Sequence, residues 1–287
     1  MCDQDHFEDD VKEFTERGLV TRRQFGALTA GAGLAFILPA VANAQAVTET
    51  DVNIKTPDGT ADAYFVHPAS GQAPAVLIWP DILGLRPAFR QMGKRLAESG
   101  YAVLVVNPFY RSAKAPIAPG MQFAEGFKIA GPMAKLLNST THVTDARAFI
   151  AWLDTQASVS RTRGMGTMGY CMGGPMVVRT AGASDRIRGA ATFHSGVLVA
   201  QNPDSPHLVI PNSKASWLIA TAENDDKQRP TEKDQLKEIF AKAKLTAEVE
   251  VYPAAHGWCP PDSPAYSQPQ AERAWSRMIA IFGKALA

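Results

Sequence analysis

The sequence predicts an α/β fold: a mostly parallel, doubly wound sheet with helices on both faces. Two observations carry that expectation. Short, continuous apolar runs alternate with segments of helical spacing, and no internal repeat or shift in composition divides the chain. Such alternation builds right-handed βαβ units that lie side by side in one sheet.

After a short opening at Val47–Ile54 and Ala63–His67, the runs Ala75–Trp79 and Tyr101–Asn107 read as buried strands. Each is uninterruptedly apolar and bounded by turn residues. Between them, Arg86–Ser99 has apolar positions at helical spacing and stops at Gly100. Thr141–Gln156 is a second helix, with Val143, Ala146, Phe149, Ile150 and Leu153 on one face. Strand-like runs return at Met165–Gly169, Gly189–Phe193, Trp217–Thr221 and Ala247–Tyr252, with helices near 172–183, 231–244 and 270–285.

The 287 residues carry 29 Lys+Arg against 28 Asp+Glu, a net charge of +1, and 46% are hydrophobic. That apolar share suits a folded core and excludes a disordered chain. The near-neutral balance gives no electrostatic case for nucleic acid or an anionic membrane surface as a partner. Cys2, Cys171 and Cys259 are too few for a disulfide framework, and without a CxxC or HExxH spacing no metal or other cofactor is expected.

The first 44 residues have the make-up of an export signal. A polar, acidic stretch precedes Thr21-Arg22-Arg23-Gln24-Phe25, and an uncharged Gly/Ala-rich stretch then runs to Thr48, passing an A-x-A signature at Ala42-Asn43-Ala44. Paired arginines before a weakly hydrophobic segment resemble a twin-arginine signal. A membrane span needs about 20 apolar residues, and Pro39 cuts this stretch short. The expectation is an exported, periplasmic protein with one α/β domain over 45–287, recognised by the export machinery and with no stable membrane span.

In a doubly wound sheet, ligands bind beyond the carboxyl ends of the strands. There, Gly169-Tyr170-Cys171-Met172-Gly173-Gly174 follows a strand and opens a helix, in the form of the G-x-S-x-G nucleophile elbow with Cys in place of Ser. The turn is tight enough that a Cβ at either flanking glycine would clash. The helix N-terminus behind it favours the thiolate. The Met172 N–H points where an oxyanion would form. Taken alone, the motif also fits a buried structural cysteine. Two later loops raise its standing. Glu223-Asn224-Asp225-Asp226 follows the strand 217–221, and Pro253-Ala254-Ala255-His256-Gly257 follows the strand 247–252, giving the chain order nucleophile, acid, histidine. His256 would take the thiol proton and a carboxylate would fix its tautomer. Asp225 is preferred as that carboxylate, with Asp226 open as the alternate.

The elbow, together with Asp81-Ile82-Leu83-Gly84-Leu85, Asn107-Pro108-Phe109-Tyr110-Arg111 and His256-Gly257-Trp258, resembles the dienelactone hydrolase (carboxymethylenebutenolidase) family over roughly residues 50–287. The resemblance implies an α/β-hydrolase fold, a triad on Cys171, His256 and Asp225, and an oxyanion hole from the backbone N–H groups of Ile82 and Met172. It also implies a glutamate that interacts with the resting thiol; the sequence has the shorter Asp81 at that place, and an Asp in a loop is ordinarily a turn-former. The arginines that hold the substrate carboxylate have no clear counterpart, with Arg86 and Arg111 in suitable loops. Asp81, Tyr110, Arg111 and Trp258 are the substrate-binding candidates.

Other signals are weaker. Gly164-Met165-Gly166-Thr167-Met168-Gly169 spells G-x-G-x-x-G, but its glycines lie within a strand rather than after one, so it is not a dinucleotide site. His194, Ser195 and Gly196 follow a strand and read as pocket lining without a chemical role. Trp258, Tyr110 and Tyr266 read as an apolar wall or as core. Cys259 stands three residues from His256, but a nucleophile held in a disulfide cannot act. The expected activity is cysteine-dependent cleavage of a lactone or small activated ester through a thioester. The alternatives are acyl transfer or thioesterase chemistry on the same residues, and a non-catalytic binding protein on a hydrolase scaffold.

Overall fold

The computed structural model describes residues 38–121 and 123–287. Arg22 and Arg23 of the expected export signal lie outside the described residues. Eight strands form one sheet in the order β1-β2-β4-β3-β5-β6-β7-β8. β1 (Val47–Thr56) and β2 (Gly59–Pro68) make an antiparallel hairpin, and β2 pairs antiparallel with β4 (Ala102–Val106). The rest is parallel: β3 (Ala75–Trp79), β5 (Met165–Tyr170), β6 (Ile187–Phe193), β7 (Ser216–Ala222) and β8 (Ala247–Tyr252). β3 and β4 are buried at every position, as strands covered on both faces must be.

Helices α1 (Pro87–Glu98) and α7 (Gln268–Ala285) cover one face. Phe89 and Leu96 of α1 and Met278 and Phe282 of α7 bury there against Val103, Val105 and Met168 of the sheet. The other face is covered by α3 (Ser139–Thr155), α4 (Gly173–Ala183) and α6 (Glu232–Lys242), through Phe149, Leu153, Met176, Val177, Leu236 and Phe240. Each fully buried side chain of this size contributes roughly 1.5–3 kcal/mol. α3 starts sharply because Asn138 and Thr141 form a reciprocal capping box.

Three elements depart from the sequence expectation. α2 (Phe123–Ala134) carries Pro132 inside it, and a 3₁₀ segment spans Pro206–Asn212. The run after β7, read as a loop, is a short helix, α5 (Glu223–Gln228). The G-x-G-x-x-G glycines serve packing: a Cβ on Gly166 would lie 3.0 Å from the Phe282 ring of α7. Among the described residues, no helix is long and apolar enough to cross a membrane, and no group of three or more His, Cys, Asp or Glu could hold a metal ion.

Candidate active site

β5, β6, β7 and β8 are successive neighbours, so the turns that follow them lie along one edge of the sheet. Cys171 leaves β5 with φ +51°, a left-handed value, and α4 begins two residues later. The glycines around it are required by contact. A Cβ on Gly169 would lie 2.6 Å from the Gly173 carbonyl oxygen, and one on Gly173 only 2.4 Å from that of Trp79. The elbow is also tied to β6: Cys171 N–H donates to Phe193 O at 3.1 Å, and Gly196 N–H donates to Cys171 O at 3.0 Å. Met172 caps α4 without a side-chain acceptor, leaving the positive end of the helix open beside the thiol.

At the end of β7, Asp225 is buried, and its Oδ2 lies 2.8 Å from Nδ1 of His256 in the loop after β8. That contact places the neutral ring's proton on Nδ1 and leaves Nε2 as the basic nitrogen. Asp226 instead makes an ion pair with Lys233 at 2.7 Å. Asn224, to which the sequence reading gave no role, accepts the His256 backbone N–H on its Oδ1 at 2.8 Å and so fixes the loop that carries the ring. Its signal was present, since it sits between the candidate acid and the strand. Arg229 braces the same region. It donates to Ser195 O at 3.2 Å and to Glu232 at 3.0 Å, and its guanidinium stands 3.7 Å from Asp225.

The turn after β3 lies against the elbow, since a Cβ on Gly173 would also be 2.9 Å from Pro80 O. Ile82 and Met172 are both buried in the cluster that includes Cys171. Among the backbone hydrogen bonds of loops and turns in the described residues, neither the Ile82 nor the Met172 N–H is spent. Asp81 shapes this turn. Its Oδ1 accepts from Leu83 N–H at 2.9 Å, and both its oxygens accept from Arg86 at 2.6 and 2.9 Å. Arg86 also grips Asp262 at 2.6 and 2.9 Å, binding the turn after β3 to the loop that carries His256.

The other substrate-binding candidates are committed elsewhere. Tyr110 Oη lies 2.8 Å from both Thr56 and Asp145, and Arg111 pairs with Asp145 and Asp58. Trp258 lines no wall: it is fully buried, stacked 4.9 Å from Tyr252 and edge-on to Phe193. Asp81 likewise acts as a turn-former bonded to Arg86 rather than as a presented ligand group. Cys259 is a free thiol buried among the residues of the α1/α7 face, whereas Cys171 belongs to the cluster of the opposite face.

The chain matches the model of the dienelactone hydrolase family over residues 61–286. It is 26% identical to the carboxymethylenebutenolidase of Rhodococcus opacus over 242 residues, covering 81% of this chain and 90% of that one. Among solved structures it resembles a dienelactone hydrolase-like promiscuous phosphotriesterase from metagenomic libraries, with TM-score 0.70 and 19% identity over 84% of this chain and all of the other. The dienelactone hydrolase of Anabaena variabilis is also similar in fold, with TM-score 0.54 and 14% identity over 84% of this chain and 99% of the other. With a match of that extent, laid over a parallel sheet whose edge gathers the elbow, an acid and a histidine, the chain belongs to the dienelactone hydrolase family and is a hydrolase of ester or lactone bonds.

Proposed function

We propose that this hydrolase cleaves a lactone or a small activated ester through a thioester on Cys171. The observation that carries the reading is the Asp225–His256 pair at 2.8 Å, on the sheet edge where Cys171 stands in a left-handed turn. His256 Nε2 takes the thiol proton, and the sulfur attacks the substrate carbonyl. The N–H groups of Ile82 and Met172 hold the tetrahedral oxyanion. The ring C–O bond then breaks, and the leaving enolate or alkoxide takes the proton from His256. Water attacks the thioester, gives its proton to His256, and the C–S bond breaks to restore the thiol. Nothing in this sequence of steps uses a metal or organic cofactor. Thiolates acylate readily but turn over best with good leaving groups, which favours lactones over amides.

The test is steady-state hydrolysis of cis- and trans-dienelactone by the full-length protein beside Cys171→Ala. Turnover by the parent that is lost in the variant is the expected result. Turnover that survives in the variant removes Cys171 as nucleophile; an inactive parent removes the dienelactones and moves the search to other esters.

The same reading takes residues 1–44 as a twin-arginine-type export signal. Its support is the Arg22-Arg23 pair and the exposure of Ala42, Asn43 and Ala44 just before Gln45 N–H anchors to Glu98 O at 3.0 Å. N-terminal sequencing of periplasmic protein should begin at Gln45; a cytoplasmic, uncleaved chain contradicts it.

A further inference from the structure

His194, the first residue past β6, is fully buried, and neither of its ring nitrogens meets a hydrogen-bond partner among the described residues. Leaving buried polar groups unpaired is costly, and a phenyl ring would fill the space without that cost. The backbone is strained as well, with φ +38°. The strain is held in place because His194 N–H donates to Ala220 O at 2.8 Å and Gly196, two residues on, donates its N–H to Cys171 O. Tyr170 pairs with Phe193 in the β5–β6 register, so Cys171 and His194 leave their strands in step, both left-handed.

The topology gives this position its meaning. Cys171, His194, Asp225 and His256 follow β5, β6, β7 and β8 in turn. The His256 ring therefore has to cross the end of β7 to approach the nucleophile, and it lies over the end of β6. Its centroid is 5.1 Å from that of His194, with the rings at 67°. The His194 ring also packs against Trp258 at 5.8 Å and Tyr170 at 5.9 Å, both core residues.

Resting on the reading of His256 as the base, we propose that His194 is a positioning residue: its imidazole supports the His256 ring over the end of β6 and stabilises that ring when it carries the thiol proton. A neutral imidazole offers an imidazolium both a π face and a nitrogen lone pair, a phenyl ring only the face, and an aliphatic chain neither. Burial, reinforced by repulsion from a charged His256, holds His194 far below the usual histidine range, so it stays the neutral member of the pair. The groups facing it are Tyr170 from β5, kept un-ionised by burial, and His256 and Trp258 from the loop after β8. Asp225 stands behind His256, and Arg229 meets the chain at Ser195 O.

The experiment is the pH dependence of iodoacetamide alkylation of Cys171, followed by peptide mass spectrometry in the full-length protein and in His194→Phe. Between about pH 6 and pH 8, where the thiolate depends on a protonated His256, the variant should react about tenfold more slowly. Above about pH 9 the thiolate forms unaided and the two rates should converge. In parallel, kcat should fall about tenfold with KM within about twofold. Equal rates at every pH overturn the proposal, and so does a rate difference that persists at high pH, which would mark a packing defect. Should His194→Phe fail to fold by circular dichroism, His194→Leu is read the same way. Alkylation needs no substrate, so a parent inactive on the dienelactones removes those substrates and leaves this proposal standing. A parent Cys171 that titrates as an ordinary thiol overturns the partnership with His256 on which His194 would act.

Discussion

Nδ1 of His256 lies 2.8 Å from Oδ2 of Asp225, while the adjacent Asp226 turns outward to Lys233. Two carboxylates one residue apart on α5 therefore have separate tasks. Asp225→Asn leaves the contact distance but lets the ring adopt the wrong tautomer. It should lower kcat by about 10³-fold or more. Asp226→Asn removes a partly buried ion pair away from His256 and should change kcat by no more than about twofold. Parallel kinetics of the two variants decide the matter, and equal losses would remove the assignment of Asp225.

The elbow glycines should be intolerant in proportion to what a methyl group would strike. On Gly173 it would lie 2.4 Å from the backbone oxygen of Trp79, and on Gly174 1.8 Å from Ser195 Oγ. Backbone cannot yield as a side chain can, so Gly173→Ala should destabilise by about 3 kcal/mol or more and abolish activity. Gly283, in α7, has nothing within 4 Å of such a Cβ. Gly283→Ala should instead stabilise by about 0.5–1 kcal/mol, through helix propensity. Urea unfolding of both variants tests the contrast.

What the sequence disclosed follows from where each signal is stored. β3 and β4 are buried along their whole lengths, and their unbroken apolar runs predicted them almost to the residue. α2 contains two glycines and Pro132 and buries only Gly126 and Ala130, so it carries little helical periodicity. α5 is Glu-Asn-Asp-Asp-Lys-Gln, with no apolar residue to mark a face. The candidate site was legible as far as it is local: the elbow, the post-strand acid and the post-strand histidine each stand beside a readable strand. The tie between Arg86 and Asp262 joins residues 176 apart and leaves no local trace. Without it, Asp81 read as a substrate-binding candidate.

That tie makes a further expectation. Arg86, largely buried, holds Asp81 and Asp262 at once and lies 4.9 Å over the Phe89 ring. Removing the guanidinium leaves two carboxylates facing each other with little water, so Arg86→Met should cost about 3–5 kcal/mol. Arg86→Lys keeps the charge but loses the fork that spans both acids. It should fold, with kcat reduced more than KM is raised, because the turn that carries the Ile82 N–H loosens. A lysine variant with parental kcat would show that the clamp serves stability alone.

Acid should weaken the fold through histidines that refuse protons. His142 is buried beside Arg179, with Nδ1 3.1 Å from the guanidinium; burial first, and that charge second, push its pKa down to about 3. His194 is held lower than usual by burial as well. An unfolded histidine titrates near about 6.5. Below that value the unfolded chain binds protons that the folded chain does not, so stability is complete above about pH 6.5 and is lost as pH falls toward about 3. Each such group adds a slope of up to about 1.4 kcal/mol per pH unit inside the window. His142→Gln keeps an acceptor for Arg179 and cannot titrate. Its unfolding free energy, measured in urea at successive pH values, should therefore fall less steeply than the parent's by about one proton's worth. Carboxylates contribute equally to both proteins, so the difference between the two curves isolates the histidine. Parallel curves would mean that His142 accepts its proton in the folded state.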